Sequence, residues 1–451
     1  MSDVGMAYVD QAIDERVRKT ALSFALIWLF VVAIYARPED VFPSLVKFHL
    51  PLVIGACATA TLVWAIFIEG VPLRWPSELV LMFLLTAWFA AGVPFAYWRS
   101  GSFDVLTQVW LKTLLLFFLV TQTLVTIKRI RAVLWAIILS ELAVAAYSIF
   151  ASSGVKWLGG RMFGVNLGIL GWNFLGIAAA TTIPYIAALF IAHSSFMKSS
   201  LLAAATAAML WMLVLTASRS GMMDVAVSVG LTSFLVLRGS SRGKAIGLGI
   251  IFALLITVSL APKIFWERMA TISSDDSAVP ADRVQVAAVG STDDRMAVLV
   301  RSIDYTISHP LFGLGLGNLG VASGNELLQP GSWVGSHNTF TEISSEAGIP
   351  ALLLFLALIA TAFRSMRRIS RTAFDAAEGA ELRLMSRASL ASLFSFIFAA
   401  FFAHIGYEYF FYTCPIAIAV GLHHVASVIH RPAPVNQGLR KQPQSNPVWA
   451  Q

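Results

Sequence analysis

The sequence predicts an all-α, polytopic integral membrane protein with about twelve transmembrane helices. Three observations carry that reading. Of 451 residues, 57% are hydrophobic and only 13% charged, with a mean hydropathy of +0.75, whereas soluble globular chains carry about 25% charged residues. The apolar residues gather into runs of about 16 to 21 that recur along almost the whole chain, each long enough or nearly so to cross a hydrocarbon core of ~30 Å. The two cysteines, Cys57 and Cys414, fall inside such runs and offer neither a disulfide framework nor a metal-ligand cluster. A soluble enzyme, a secreted disulfide scaffold and a disordered chain are excluded.

Spans are expected at roughly 21–36, 50–68, 78–98, 105–125, 132–152, 173–193, 201–217, 221–237, 245–262, 349–364, 388–405 and 409–427. The first follows Arg16, Arg18 and Lys19 in the manner of a signal sequence. Ile34 stands where cleavage needs a small residue, so it reads as an uncleaved span. The seventh and eighth are separated only by Ser218-Arg219-Ser220, which demands a very tight helical hairpin. With the N-terminus inside, the inner segments hold 20 lysines and arginines against 11 outside, or 6 once the long loop is set aside. Both termini, 1–20 and 431–451, are therefore expected to be cytoplasmic, and the one long hydrophilic segment, 263–348, lies on the outer, periplasmic face between spans nine and ten.

Within that loop, 273–292 reads as a polar, mobile stretch, and an amphipathic helix follows. Met296, Leu299, Val300, Ile303 and Ile307 share one face, Asp293-Asp294 suits its N-terminus and Pro310 stops it. Such a helix lies on the membrane surface or against the bundle. The tail after Arg431, rich in Pro and Gln, reads as disordered.

Few polar residues remain near the bundle, and each of these is weighed as a functional candidate. Arg219, in Thr216-Ala217-Ser218-Arg219-Ser220-Gly221, sits where phosphate-bearing head groups lie, and a snorkelling interfacial arginine is the alternative. Gly315 to Gly320 formally matches a dinucleotide fingerprint, but that motif needs a preceding strand. Here a helix and a proline precede it, so a glycine-rich turn packed on the membrane domain is expected. Arg295 and Arg301, six residues apart, are related by about 240° of rotation around the helix axis, which leaves them about 120° apart, and cannot both face one ligand. His337, in Ser336-His337-Asn338-Thr339-Phe340-Thr341-Glu342, can accept a proton at neutral pH, or it stands by chance in a helix-capping loop. Arginines match phosphate oxygens bidentately, so these segments suit a diphosphate-bearing lipid. The outer loops contain no D-x-D, and no metal or cofactor is expected. Lys112 and Glu141 could pair across neighbouring spans, and His404 and Glu408 could edge the site.

Together these segments resemble the O-antigen ligase and polymerase superfamily of bacterial membrane glycosyltransferases. The resemblance rests on the S-R-x-G hairpin at 218–221, on Arg295 followed by His-Pro-Leu-Phe-Gly-Leu-Gly-Leu-Gly-Asn at 309–318, and on Ser-His-Asn-Thr-Phe-Thr-Glu-Ile-x-x-Glu-x-Gly-Ile-Pro at 336–350. With the span count and the long loop, it covers most of 100–425. It implies transfer of a glycan from an undecaprenyl-diphosphate carrier to an acceptor hydroxyl at the periplasmic face of the inner membrane. By position, Arg219 and Arg295 would hold the diphosphate and His337 would be the base or acceptor-orienting group. Arg161, in Gly159-Gly160-Arg161-Met162-Phe163-Gly164, matches a looser arginine-glycine pattern, although Gly171-Trp172-Asn173 replaces the usual Pro-Asn. Asn338 belongs to the same motif as His337, and His309 is read as structural within its Pro-Leu-Phe-Gly turn.

Loss of a diphosphate needs charge stabilisation more than a general acid, and a single displacement inverts the anomeric centre. The partners implied are the lipid-linked donor, an acceptor that is lipid A core, a growing glycan or a protein, and membrane lipids; nucleic acid is not among them. Ligase and polymerase remain alternatives. A rival of another class is a secondary transporter, which shares the twelve-span layout. Such folds often repeat internally; no repeat is visible here, and the longest loop is not the one between spans six and seven.

Overall fold

The computed structural model describes residues 3–150, 155–158, 161–165, 172–192, 195–239, 241–270, 283–327, 335–374 and 378–429. The tail after Arg431 and residues 273–282 of the polar stretch lie outside them.

The chain folds as a helical bundle. In order come α1 (Asp3–Lys19), α2 (Ala21–Ala36), α3 (Leu50–Phe67), α4 (Ser77–Gly92), α5 (Arg99–Thr123) and α6 (Ile127–Phe150). A short antiparallel hairpin follows, β1 (Val155–Leu158) with β2 (Arg161–Val165), a small departure from the all-helical expectation. Then come α7 (Trp172–Ala192), α8 (Phe196–Thr216), α9 (Arg219–Leu237), α10 (Ser241–Ser259), α11 (Lys263–Ala270), α12 (Arg283–Ser308), α13 (Leu319–Glu326), α14 (Thr339–Arg371), α15 (Gly379–Ala400) and α16 (Tyr409–Ile429). Among the described residues, 11 helices are long and apolar enough to cross a membrane, or 12 if α1 and α2, bent by 61° at their junction, act as one.

At the centre α7 packs on α9 and α15. Glycine permits the closest approach: a Cβ on Gly176 would collide with the Gly221 Cα, the small-residue contact that membrane helices favour. The α8–α9 connection is as tight as expected, with only Ala217 and Ser218 between the helices. The two do not form a packed hairpin, however. They diverge from the turn, because α9 packs along α7 and α15 instead of back along α8.

Two boundaries differ from expectation. Helix α12 begins at Arg283, ten residues before the Asp293-Asp294 pair, which therefore lies inside the helix and not at its start. Helix α14 begins at Thr339, ten residues before the expected tenth span, because the Asn338 side chain caps it by accepting from Phe340 N (3.0 Å) and Thr341 N (3.1 Å).

The expected glycine-rich turn is present. Between α12 and α13 the chain doubles back with Gly313, Gly315 and Gly317 all at positive φ. It lies against α14: Leu314 N donates to Ser345 O and Gly315 N to Glu346 O, both at 2.8 Å. At the same level α14 breaks at Gly348 (φ 82°), and Ile349 N turns to Pro310 O at 2.8 Å. The Glu346 carboxylate completes the joint by accepting from Gly317 N (2.7 Å), Leu319 N (3.2 Å) and the Tyr407 hydroxyl (2.8 Å).

Lys112 and Glu141 do not pair. Lys112 is exposed and donates to Gln108 at 3.1 Å, one turn back on its own helix, while the buried Glu141 accepts from Thr182 at 3.0 Å. Similar depth did not suffice, because the two side chains leave their helices toward different neighbours.

The break in α14 makes a paired test. A Cβ at Gly348 would overlap the Leu311 carbonyl in a left-handed conformation, so Gly348→Ala should destabilise the protein by roughly 2–5 kcal/mol. Gly230, mid-helix with nothing within 4 Å of its missing Cβ, should gain up to about 1 kcal/mol as Ala. Thermal unfolding in detergent reads both, and equal midpoints for the two variants would contradict the packing of this turn.

Candidate functional site

Each functional side chain is placed by its local backbone. Helix α8 ends on Ala217 in the left-handed region (φ 46°), and Ser218 caps α9 by accepting from Gly221 N at 3.2 Å. Arg219 is thus the first residue of α9, at the bundle surface and half-buried. Helix α11 docks on the same turn: Phe265 packs with Val214 and Ala217, and Arg268 Nε donates to Ala217 O at 3.3 Å.

Arg295 lies on α12, whose packing fixes its direction. Val298 and Tyr305 pack with Leu314, Leu319 and Ala322, and Thr306 meets Ser344 of α14 at 2.8 Å. Arg301 points elsewhere, donating to Ser323 of α13 at 2.6 Å, so the two arginines separate as their spacing requires.

His337 occupies the left-handed region (φ 51°) just before the cap of α14. The loop between α15 and α16 is stapled beside it: Thr339 Oγ1 donates to Ala403 O (2.7 Å) and Gly406 N donates to Glu342 Oε2 (2.9 Å). His404 therefore meets His337 edge-on, with ring centroids 5.2 Å apart. Gly335 makes room, since a Cβ there would lie 2.8 Å from His404 Nε2.

Electrostatics tie the segments together. Burial lowers the Arg268 pKa, followed by the charges of Arg219 and Arg295; burial and Arg219 likewise lower that of Arg295. The His337 imidazole falls to about 4, through desolvation first, then His404 and Arg295. His404 is lowered by desolvation and Arg295, although the residue as a whole is exposed. Arg295 links the group at one end of the bundle: its charge reaches Arg268, His337 and His404, and the charge of Arg219 reaches Arg268 and Arg295. Like charges held together at reduced dielectric repel, and a multivalent anion relieves that repulsion. The neutral imidazoles can accept a hydrogen bond from a hydroxyl.

Of the residues read from the sequence, Arg219, Arg295, His337 and His404 come together. The side chain of Arg161 lies outside the described residues. Its strand is near, since Met162 packs with Leu175 and Met212. Asn338 is committed to capping α14. His309 does not pack as expected: its ring is exposed beside Ser308 (3.0 Å), and only its backbone serves the turn, accepting from Gly313 N. Glu408 is set against Arg37 of the α2 end; burial raises it to about 7 and Arg37 opposes the rise.

Sequence reasoning missed Arg268, which stands in no motif. It also gave no role to Glu342 and Glu346. Their signal was there to use: two carboxylates one helical turn apart, opening an otherwise apolar segment.

Residues 204–356 match the family described as O-Antigen ligase. The match runs from within α8 to within α14 and contains Arg219, Arg268, Arg295 and His337. No curated protein matches the chain.

The histidine carries a pH signature. A folded-state pKa near 4 against an ordinary 6.5 means that the unfolded chain binds the extra proton between those values, so stability is lost as pH falls from about 6.5 toward 4. His337→Asn, which tolerates the left-handed backbone, should remove this component. Its unfolding midpoint should track wild type above pH 7 and fall less steeply below pH 6.5. Parallel midpoints from pH 8 to 4 would contradict a buried neutral imidazole.

Proposed function

We propose that this chain belongs to the O-antigen ligase/polymerase superfamily of membrane glycosyltransferases, whose ligase family it matches over residues 204–356, and moves a glycan from an undecaprenyl-diphosphate carrier to an acceptor hydroxyl at the periplasmic face. The observation that carries the reading is the convergence of Arg219, Arg268 and Arg295 beside His337 and His404. The orientation is supported by the opposite end of the bundle, which gathers Arg16, Arg74, Arg129, Arg238, Arg367, Arg371 and Arg387, as cytoplasmic ends do.

In this reading Arg219 and Arg295, joined by Arg268, hold the donor diphosphate through charge-assisted, bidentate bonds. The acceptor oxygen attacks the anomeric carbon as the bond from that carbon to the diphosphate oxygen breaks. The electron pair leaves on the diphosphate, where preorganised guanidiniums stabilise the developing charge. The acceptor proton passes to His337, and the single displacement inverts the anomeric centre. The low proton affinity of His337 suits this order of events. While the site is empty the imidazole is neutral and free to orient a hydroxyl. A bound diphosphate offsets the charge of Arg295 and so raises the affinity of the imidazole for the proton it receives.

The test is transfer by the purified full-length protein from a synthetic polyprenyl-diphosphate glycan, with acceptors drawn from lipid A core, glycan and peptide hydroxyls. Arg219→Ala or Arg295→Ala should lower the rate by about 10²–10³-fold, the scale of removing one preorganised charge-stabilising donor. Arg→Lys should recover little, because the planar fork is lost, and Arg268→Ala should also lower the rate. Arg301→Ala should cost little activity, and EDTA should change nothing. An active Arg295→Ala protein, a dead Arg301→Ala protein or strong inhibition by EDTA would each sink a specific part of the assignment.

A further inference from the structure

A cavity of about 600 Å³ opens between α9, α14 and α15. From the Gly348 break to Arg371, α14 runs 23 residues, or about 35 Å at 1.5 Å per residue, so this cavity sits one bilayer thickness from the arginine–histidine cluster. Its lining is graded with depth. On α9 and α14, Phe234 and Phe363 each precede an arginine, Arg238 and Arg367, by one turn; on α15, Phe394 follows Arg387 by about two turns. The first two helices run toward this end and the third away from it. On all three, therefore, the arginine stands nearer this end of the bundle, with a ring roughly 6–10 Å deeper.

The Arg238 guanidinium lies 4.8 Å over the Phe234 ring, and Phe363 meets Phe394 edge-on at 4.8 Å. Gly239 lies beside Arg387, whose Nη1 would be in ordinary contact, 3.9 Å, with a Cβ there. Among the described residues no acidic side chain lines the cavity. Among the described residues none of its four arginines (Arg371 is the fourth) forms an ion pair. Phe234 and Phe394 are 60% and 41% exposed on the faces of membrane-spanning helices, so the cavity opens sideways to lipid.

We propose that this cavity binds one anionic phospholipid, with its phosphate on Arg238, Arg367 and Arg387 and its acyl chains along Phe234, Phe363 and Phe394. Charge selects the head group: cations gathered without an acidic neighbour among the described lining residues are stabilised by an anion. The polarity gradient selects a lipid over a soluble phosphate, which would leave the three rings unused. The site is independent of the transfer chemistry and survives its failure.

The test uses purified full-length protein, delipidated in nonionic detergent and offered phosphatidylglycerol, phosphatidylcholine or inorganic phosphate. Native mass spectrometry should find one phosphatidylglycerol retained in preference to phosphatidylcholine, with a saturable rise in unfolding midpoint that inorganic phosphate does not reproduce. Arg367→Gln with Arg387→Gln should weaken retention roughly 30-fold, the scale for two basic contacts with an anionic head group. Arg364→Gln with Arg368→Gln, two exposed α14 arginines outside the cavity, should leave retention unchanged. Phe363→Ser keeps every charge and should also reduce retention, which covers the case in which the double glutamine variant fails to fold. Equal retention of the two lipids, wild-type retention by either cavity variant, or an equal effect of inorganic phosphate overturns the proposal.

Discussion

The arrangement depends on one carboxylate. Glu346 lies buried where α14 breaks, and its two oxygens receive three donors: the backbone of Gly317 and Leu319 from the glycine-rich turn, and the hydroxyl of Tyr407 from the loop before α16. Irregular backbone beside a membrane core is tolerated only where its polar groups are satisfied by protein. An unmet buried donor costs about 1–3 kcal/mol, so the three together require an acceptor of this kind. Because the turn follows α12 and the loop carries His404, the same carboxylate sets where Arg295 and His404 stand relative to His337.

Glycine does the complementary steric work. Gly313, Gly315 and Gly348 sit where a Cβ would overlap neighbouring backbone or side chains, so turn and helix approach until their backbones hydrogen-bond. Glycine at these positions answers to packing and to positive φ, and this explains why a motif resembling a dinucleotide fingerprint serves here as a joint.

The two ends of the bundle use arginine differently. At one end Arg16, Arg74 and Arg129 donate to the carbonyls of Thr121, Gln122, Thr123 and Leu124, where α5 terminates. These are the orphan acceptors that every helix C-terminus leaves. Their role is complete within the protein. At the other end burial, and then the charge of Arg219, lower the proton affinity of Arg268 and Arg295, and Arg295 lowers that of Arg268 as well. Guanidiniums brought together in this way repel one another, and in the proposed reading a bound diphosphate relieves that repulsion.

By itself the sequence determined the class, the number of spans and the residues most worth watching. Apolar runs of bilayer length have few alternatives to a helix, and charges near them are too costly to be casual. A spacing of six positions turned Arg295 and Arg301 to different partners, because helical pitch is local geometry. Other features were settled only by tertiary structure. Lys112 and Glu141 share a depth but turn to different neighbours; α12 and α14 each begin ten residues early; the hairpin at Arg219 splays. Arg268 belongs to no motif and joins the cluster only because Phe265 seats its helix against Val214 and Ala217. Each of these depends on which helix faces which. Spacing fixes the face a residue occupies along its own helix, while its partner is fixed by packing between segments far apart in the chain.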